Sequence, residues 1–133
     1  MPKLERLANG EINLHGLLSL AKGARENAYC PDSRVSVGAA LLTEEGEVYL
    51  GANVENAAYP AGICAERSAI FSALSSGERR FTAIAVCGGK DGENSLDKFS
   101  PCGICRQVMA EHCPENFKIV LEEGEGAVCF TLK

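Results

Sequence analysis

The chain has 133 residues, 46% of them hydrophobic, a length and composition that predict one domain over residues 1–133 with a core of its own. Its net charge of −5 argues against a nucleic-acid partner, because phosphates are bound chiefly by Lys and Arg, and favours a small-molecule ligand. The sequence contains neither an apolar run of about eighteen residues nor a signal-peptide segment, so we expect a cytoplasmic protein without membrane contacts.

The first part of the chain predicts a helix followed by a hairpin. Residues 14–27 place Leu and Ala at helical spacing, and Pro31 lies beyond the helix end. Residues 35–43 and 47–54 are two strand patterns, separated by turn-forming residues that end in Gly46. These two strands should pair in antiparallel fashion.

The second part alternates helices and strands. The pattern predicts a helix at 64–76, a strand at 82–88, a helix at 102–112 and a strand at 118–121. Because strands separated by helices need crossover connections, the later strands should be parallel. Residues 89–98, GKDGENSLDK, predict an exposed loop.

Two cysteine motifs, Cys-Ala-Glu and Pro-Cys-Gly-Ile-Cys, carry the predicted chemistry. They supply the thiolates of Cys64, Cys102 and Cys105 and the carboxylate of Glu66. Zinc held by three protein ligands keeps a position open for water, whose pKa it lowers to about 7. Both motifs open predicted helices, where free amides and the helix dipole favour negative charge. The pattern is typical of zinc nucleobase deaminases.

Glu66 and Arg67 follow the first predicted ligand directly. Glu66 would take a proton from the zinc-bound water and return protons to a ring nitrogen and to the leaving ammonia. Arg67 would hydrogen-bond a ligand sulfur and offset the charge of three thiolates, although an exposed helix arginine is the alternative. A structural zinc knuckle is also possible, but neither His15 nor His112 has the short spacing of a fourth ligand.

Four further cysteines lack ligand-like spacing. An odd total of seven cysteines, without a secretory segment, favours metal binding or catalysis over disulfides. The four lie in or beside apolar stretches, so we expect buried or half-buried thiols at Cys30, Cys87, Cys113 and Cys129.

Four segments together resemble the homotetrameric zinc cytidine deaminases over about residues 14–132. They are VGAALL at 37–42, NVENAAY at 53–59, CAERSAIF at 64–71 and SPCGICRQV at 100–108. The resemblance implies an α/β, three-layer fold with a central mixed five-stranded sheet flanked by helices. It also implies one Zn²⁺ per chain and a homotetramer with shared active sites. The implied reaction is hydrolytic deamination of cytidine and deoxycytidine to uridine and deoxyuridine, as in pyrimidine salvage.

The resemblance also assigns roles to residues outside the cysteine motifs. Asn53 and Glu55 would hydrogen-bond the ribose 3′ hydroxyl, and the backbone amide near Ala65 would meet the base. Ala57 and Tyr59 would approach a neighbouring subunit's site. Asn53 and Glu55 are two residues apart at the end of a predicted strand, so their side chains should point to the same side. Together they would offer a sugar hydroxyl both a hydrogen-bond donor and an acceptor. The alternative, if the resemblance is set aside, is that Asn53 forms a turn and Glu55 is a solvated surface side chain.

Val35 is the clearest departure from the family pattern. Family members usually carry an aromatic residue here, in a YSxF-like stretch before VGAAL, which stacks on the pyrimidine. Val35 would line the base pocket in its place, or would simply be a strand residue buried under the first helix. The family's LLPxxF-like tail is also absent, and Phe130 is predicted to lie in the strand before it.

The departures leave two other functions open. One is deamination of a modified cytosine nucleoside such as a blasticidin-type antibiotic. The other is a non-catalytic oligomeric zinc-binding module, which would have no need of the Glu66 carboxylate.

Overall fold

A mixed sheet organises the chain. The structure, a computed structural model, describes residues 2–58, 62–90, 103–123 and 126–132. In these residues the helices are α1 (Leu14–Ala24), α2 (Ala65–Ser75) and α3 (Gly103–His112), with a 3₁₀ turn at Arg25–Asn27. The strands in the same residues are β1 (Val35–Thr43), β2 (Val48–Ala52), β3 (Phe81–Lys90), β4 (Lys118–Glu123) and β5 (Gly126–Thr131). Among them they form a five-stranded sheet in the order β2-β1-β3-β4-β5.

The pairing directions confirm the predicted mixed sheet. β1 and β2 form the expected antiparallel hairpin, and Gly46 in its turn has a φ of 89°, which glycine adopts without a steric penalty. β1 also pairs antiparallel with β3, β3 pairs parallel with β4, and β4 pairs antiparallel with β5. The parallel pair is the one joined through a helix, as the crossover rule requires.

The strand predicted at 82–88 is longer than expected. Gly89 and Lys90, assigned to an exposed loop, continue β3 and pair with Ser36 and Val35. The long β1 offers these two residues a backbone partner, and pairing outweighs the turn tendency of glycine. The remaining residues of the predicted loop, 91–98, lie outside the described residues.

The two faces of the sheet carry different helices. Ala39 and Leu41 of β1 pack in a core cluster with residues of α2 and α3. Ala40 and Leu42, which point to the other side, pack in a second cluster with residues of α1. Alternation along a strand therefore separates a face covered by α1 from a face covered by α2 and α3.

Gly51 sets the position of α2 on β2. A Cβ atom at this residue would collide with the backbone of Ala65 and Ala69. The absence of a side chain thus lets the first turns of α2 lie directly on the strand. Within the part of the chain that the structure describes, no helix has the length and apolar character needed to span a membrane.

The cysteines without ligand-like spacing are mostly buried. Cys30 and Cys87 are buried and Cys113 is partly buried, as expected. The prediction was wrong for Cys129, which is exposed. It lies on β5 at the edge of the sheet, where much of the strand is uncovered.

Candidate active site

The start of α2 presents the first cysteine motif. Cys64 is the residue before the helix, and its extended backbone (φ −76°, ψ 154°) places it at the positive end of the helix dipole. Its thiol makes no capping hydrogen bond, so the sulfur is available for other partners. The next two residues, Ala65 and Glu66, are buried, with 0% and 6% exposure.

The start of α3 brings the second motif to the same place. Cys105 lies in the first turn of α3 and is fully buried. The Arg67 guanidinium donates to Cys64 Sγ from Nη2 at 3.3 Å and also hydrogen-bonds the Cys105 thiol. The Cys105 thiol in turn hydrogen-bonds the Glu66 carboxyl. The structure therefore brings four of the predicted site residues together, whereas Cys102 lies outside the described residues.

Burial dominates the chemistry of Glu66. Removal from water raises the pKa of its carboxyl above the ordinary value, because the charged form loses solvation. Hydrogen bonds from its own backbone N–H and from Cys105, and the charge of Arg67, act in the opposite direction. A carboxyl with a raised pKa next to a cluster of thiols is suited to taking up and releasing a proton.

The donor set fits a zinc ion. Two thiols at the starts of two helices are soft ligands of the kind that zinc prefers. The buried Nε of Arg67 has no hydrogen-bond partner among the described residues. An unpaired buried N–H is costly, and a third thiolate beside the first two would supply an acceptor for it.

The side chain of Asn53 is bonded to β1. Its Oδ1 accepts from the backbone N–H of Val37 at 2.8 Å, and its Nδ2 donates to the carbonyl of Val35 at 2.9 Å. Its own backbone N–H donates to the carbonyl of Val37 at 3.2 Å. The amide keeps one further donor and one further acceptor position, and its contact with the ribose stays a prediction.

Glu55 is bonded to the loop before β1. Its Oε1 accepts from the backbone N–H groups of Asp32 and Ser33, at 2.9 and 3.2 Å. A hydrogen bond from the Ser33 hydroxyl is the main cause that lowers the pKa of Glu55, with burial acting against it. Two backbone N–H groups therefore hold the carboxylate in place, and its contact with the ribose stays a prediction.

Val35 lies on the face of the sheet that carries α2 and α3. The next residue, Ser36, is buried against the α1 side, where Arg25 Nε donates to its Oγ at 3.1 Å and to its carbonyl at 3.0 Å. Neighbouring side chains of a strand point to opposite faces, so Val35 shares its face with Val37 and Ala39 of the α2 and α3 cluster. Burial of Val35 under the first helix was therefore the wrong alternative.

Comparison with known proteins shows the family. The family described as "Cytidine and deoxycytidylate deaminase zinc-binding region" matches residues 12–121. The chain belongs to this family. Its match covers both cysteine motifs and the strands beneath them, which confirms the resemblance predicted from the four sequence segments.

Individual members of the family cover most of the chain. A cytidine deaminase of Sporosarcina psychrophila is 44% identical over 88% of this chain and 82% of its own. A cytidine deaminase of Halalkalibacterium halodurans is 48% identical over 84% and 81%. A crystal structure of cytidine deaminase from Burkholderia pseudomallei superposes with a TM-score of 0.79 at 46% identity, covering 89% of this chain and 91% of that one. The fold predicted from the resemblance is confirmed.

The two residues predicted to approach a neighbouring subunit, Ala57 and Tyr59, are only partly described. Ala57 is exposed, and Tyr59 lies outside the described residues. Ser33, which connects Glu55 to the start of β1, was not predicted. A Pro-Asp-Ser sequence ahead of a strand is a typical site of side-chain hydrogen bonds to nearby backbone N–H groups, and this signal was sufficient to identify it.

Proposed function

We propose that this chain catalyses the hydrolytic deamination of cytidine and deoxycytidine to uridine and deoxyuridine. The observation that carries the proposal is the contact of the buried Glu66 carboxyl with Cys105 inside a cluster that also holds Cys64 and Arg67. The family match and the names of the relatives support the substrate.

The thiolates of Cys64, Cys102 and Cys105 would hold one Zn²⁺ per chain. When bound, the ion would lower the pKa of a water molecule next to Glu66. Arg67 donates to Cys64 and Cys105, which orients both sulfurs and offsets part of their negative charge.

Glu66 moves the protons of the reaction. Water adds to the amine-bearing carbon of the ring, the carbon–nitrogen bond breaks and ammonia leaves. Glu66 accepts one proton from the attacking water and passes it to the ring nitrogen; it then accepts the proton of the added hydroxyl and passes it to the amine, which leaves as ammonia while the carbonyl forms. Burial helps both halves of this cycle, because it brings the free energies of the charged and neutral carboxyl closer together.

Several subunits would share their active sites in a homotetramer. Besides the family resemblance, two exposed apolar residues next to Asn53 and Glu55 support this assembly. They are Tyr29 and Val54, 60% and 41% exposed, which form a bridge with each other. Light scattering should give four chains per particle, and an active monomer would contradict the shared-site proposal.

A second candidate is deamination of a modified cytosine nucleoside. A blasticidin-S deaminase of Bacillus cereus is 31% identical over 71% of this chain and 69% of its own, and Val35 would leave the proposed base pocket without the aromatic residue of the family. The deciding experiment measures ammonia release from cytidine, deoxycytidine, cytosine and blasticidin S. Cytidine and deoxycytidine should have the highest kcat/KM, whereas a higher value for blasticidin S would favour the second candidate.

The relatives named above are all deaminases, so nothing supports a non-catalytic module.

A further inference from the structure

The backbone at the start of β1 is held by side chains from the segment after β2. Pairing of β1 with β2 ends at Gly38 and Ala52. Beyond that point the side-chain amide of Asn53 bonds to β1. It accepts from the backbone N–H of Val37 at 2.8 Å and donates to the carbonyl of Val35 at 2.9 Å. A side chain thus continues the ladder for residues that have no β2 partner.

Ser33 connects the same segment to Glu55. Its Oγ accepts from the backbone N–H of Val35 at 3.1 Å, and its own backbone N–H donates to Glu55 Oε1 at 3.2 Å. Glu55 Oε1 also accepts from the backbone N–H of Asp32 at 2.9 Å. Both polar groups of the Val35 backbone, the N–H and the carbonyl, are therefore bonded to side chains of this network.

The intervening residue, Arg34, has a φ of 60°. This left-handed conformation is disfavoured for a residue with a side chain, and it persists where surrounding bonds fix the backbone. Its N–H donates to the Cys30 carbonyl at 3.0 Å and its Nε to the Pro31 carbonyl at 3.2 Å. The turn that leads into Val35 is thus fixed on both sides.

The same network reaches the cysteine cluster. Val54, between Asn53 and Glu55, exchanges two backbone hydrogen bonds with Ile63, at 3.0 and 2.9 Å. Ile63 directly precedes Cys64. The position of Val35 relative to the start of α2 is consequently set through residues 53–55.

We propose that Ser33 is a positioning residue which, with Asn53 and Glu55, fixes Val35 as a wall of the base pocket and so determines which substituted pyrimidine rings are accepted. The inference rests on the proposed deaminase activity. It assigns Asn53 and Glu55 a role in selecting the base, separate from their predicted contact with the sugar. Ser33 acts only through Val35 and does not touch the substrate.

The test compares three nucleosides in the zinc-loaded enzyme. Cytidine and 5-methylcytidine differ at the base, whereas cytidine and 3′-deoxycytidine differ at the sugar hydroxyl. Ser33→Ala removes the hydrogen bond from the Val35 N–H to the Ser33 hydroxyl. It should change the kcat/KM ratio of cytidine to 5-methylcytidine, the base ratio, by about threefold or more. The backbone N–H groups of Asp32 and Ser33 that hold Glu55 remain in this variant, so the kcat/KM ratio of cytidine to 3′-deoxycytidine should stay within about twofold of the parent. Ser33→Thr keeps a hydroxyl and should restore the parent ratio.

Ser36→Ala is the matched control. Ser36 lies on the same strand and also accepts a side-chain hydrogen bond, but from Arg25 on the α1 side. This variant should lower Tm and leave both substrate ratios unchanged. Equal changes of the base ratio in Ser33→Ala and Ser36→Ala would show a general loss of strand order and overturn the proposal.

A double mutant tests whether Ser33 acts through Val35. Once Val35→Ala has removed the wall, Ser33→Ala should have no further effect on the base ratio, whereas independent effects would add. Additive effects, or an unchanged base ratio in folded Ser33→Ala, would overturn the proposal.

Calorimetric binding of the same nucleosides gives the ratios without turnover. A parent protein that binds but does not deaminate cytidine would contradict the proposed function and still test the role of Ser33.

Discussion

At the scale of single residues, the site depends on side chains whose neighbours change their chemistry. Glu66 is an ordinary carboxylate by type, yet burial raises its pKa and the Cys105 thiol contacts it. Asn53 and Glu55 are ordinary polar residues, yet their hydrogen bonds hold the backbone from Asp32 to Val37. Function at this scale follows from partners as much as from residue identity.

Glu66→Gln should abolish turnover while keeping the fold and the zinc. The amide has nearly the same shape but cannot accept a proton, and a single proton-transfer group typically accounts for about 10² to 10⁴ in rate. The loss should reach at least the upper part of that range, because one group makes several transfers. Steady-state kinetics and elemental analysis measure the two effects. Activity within about tenfold of the parent would show that another group moves the protons.

Val35→Phe should tighten cytidine binding and weaken the binding of analogues substituted at N4 or C5. Val35 shares the face of α2 and α3, so a ring at this position would provide a stacking surface and fill the space of bulky substituents. Stacking of a base on an aromatic ring is worth about 1 to 3 kcal/mol. The measurement is kcat/KM for cytidine and for an N4-substituted analogue, together with Tm. A lower Tm with an unchanged ratio would remove Val35 from the site.

At the scale of elements, the contact of α2 with β2 places the first cysteine motif. Gly51 allows the backbone of Ala65 and Ala69 to lie on the strand, and the same first turn carries Cys64 and Glu66. A shift of this helix therefore moves a predicted ligand and the predicted proton carrier together.

Gly51→Ala should reduce both stability and activity. The new Cβ collides with backbone atoms, which cannot rotate away as a flexible side chain would; overpacking of this kind typically costs about 1 to 3 kcal/mol. Gly23→Ala is the control, since a Cβ there meets no atom within 4 Å. Gly23 lies in the last turn of α1, where alanine should stabilise the helix by up to about 1 kcal/mol. Thermal unfolding and kcat/KM compare the two variants, and equal behaviour would contradict the close packing of α2 on β2.

At the scale of the whole molecule, the proposed metal site at the starts of α2 and α3 would join elements that are distant in sequence. Cys64 and Cys105 hydrogen-bond the same guanidinium, that of Arg67. An ion held by both helices would therefore stabilise the folded chain as well as serve the reaction.

Purified protein should contain about one zinc per chain, because the proposed thiolates form one dedicated soft site. A chelator should remove the ion, abolish turnover and lower Tm, since a ligand that binds only the folded state stabilises it. Elemental analysis and thermal unfolding with and without the chelator provide the measurements. Zinc added back should restore both Tm and activity. Full activity in metal-free protein would contradict the proposed mechanism.

The sequence by itself determined the family and the order of the elements from α1 to β4, and it predicted zinc chemistry for the cysteine motifs. Helical spacing, turn residues and the crossover rule were sufficient because they are local. The resemblance added β5, which the residue pattern alone had not separated. The extension of β3 through Gly89 and Lys90 was missed, since it depends on the backbone partners that β1 offers.

Only the tertiary structure decided how these residues meet. The side of the sheet on which Val35 lies follows from its neighbour Ser36, which is bonded to Arg25 of the 3₁₀ turn. The hydrogen bonds of Asn53 and Glu55 to the start of β1 join residues sixteen or more positions apart, and so do the contacts of Cys105 with Glu66 and Arg67. Such contacts depend on the packing of whole elements, which no local pattern of residues specifies.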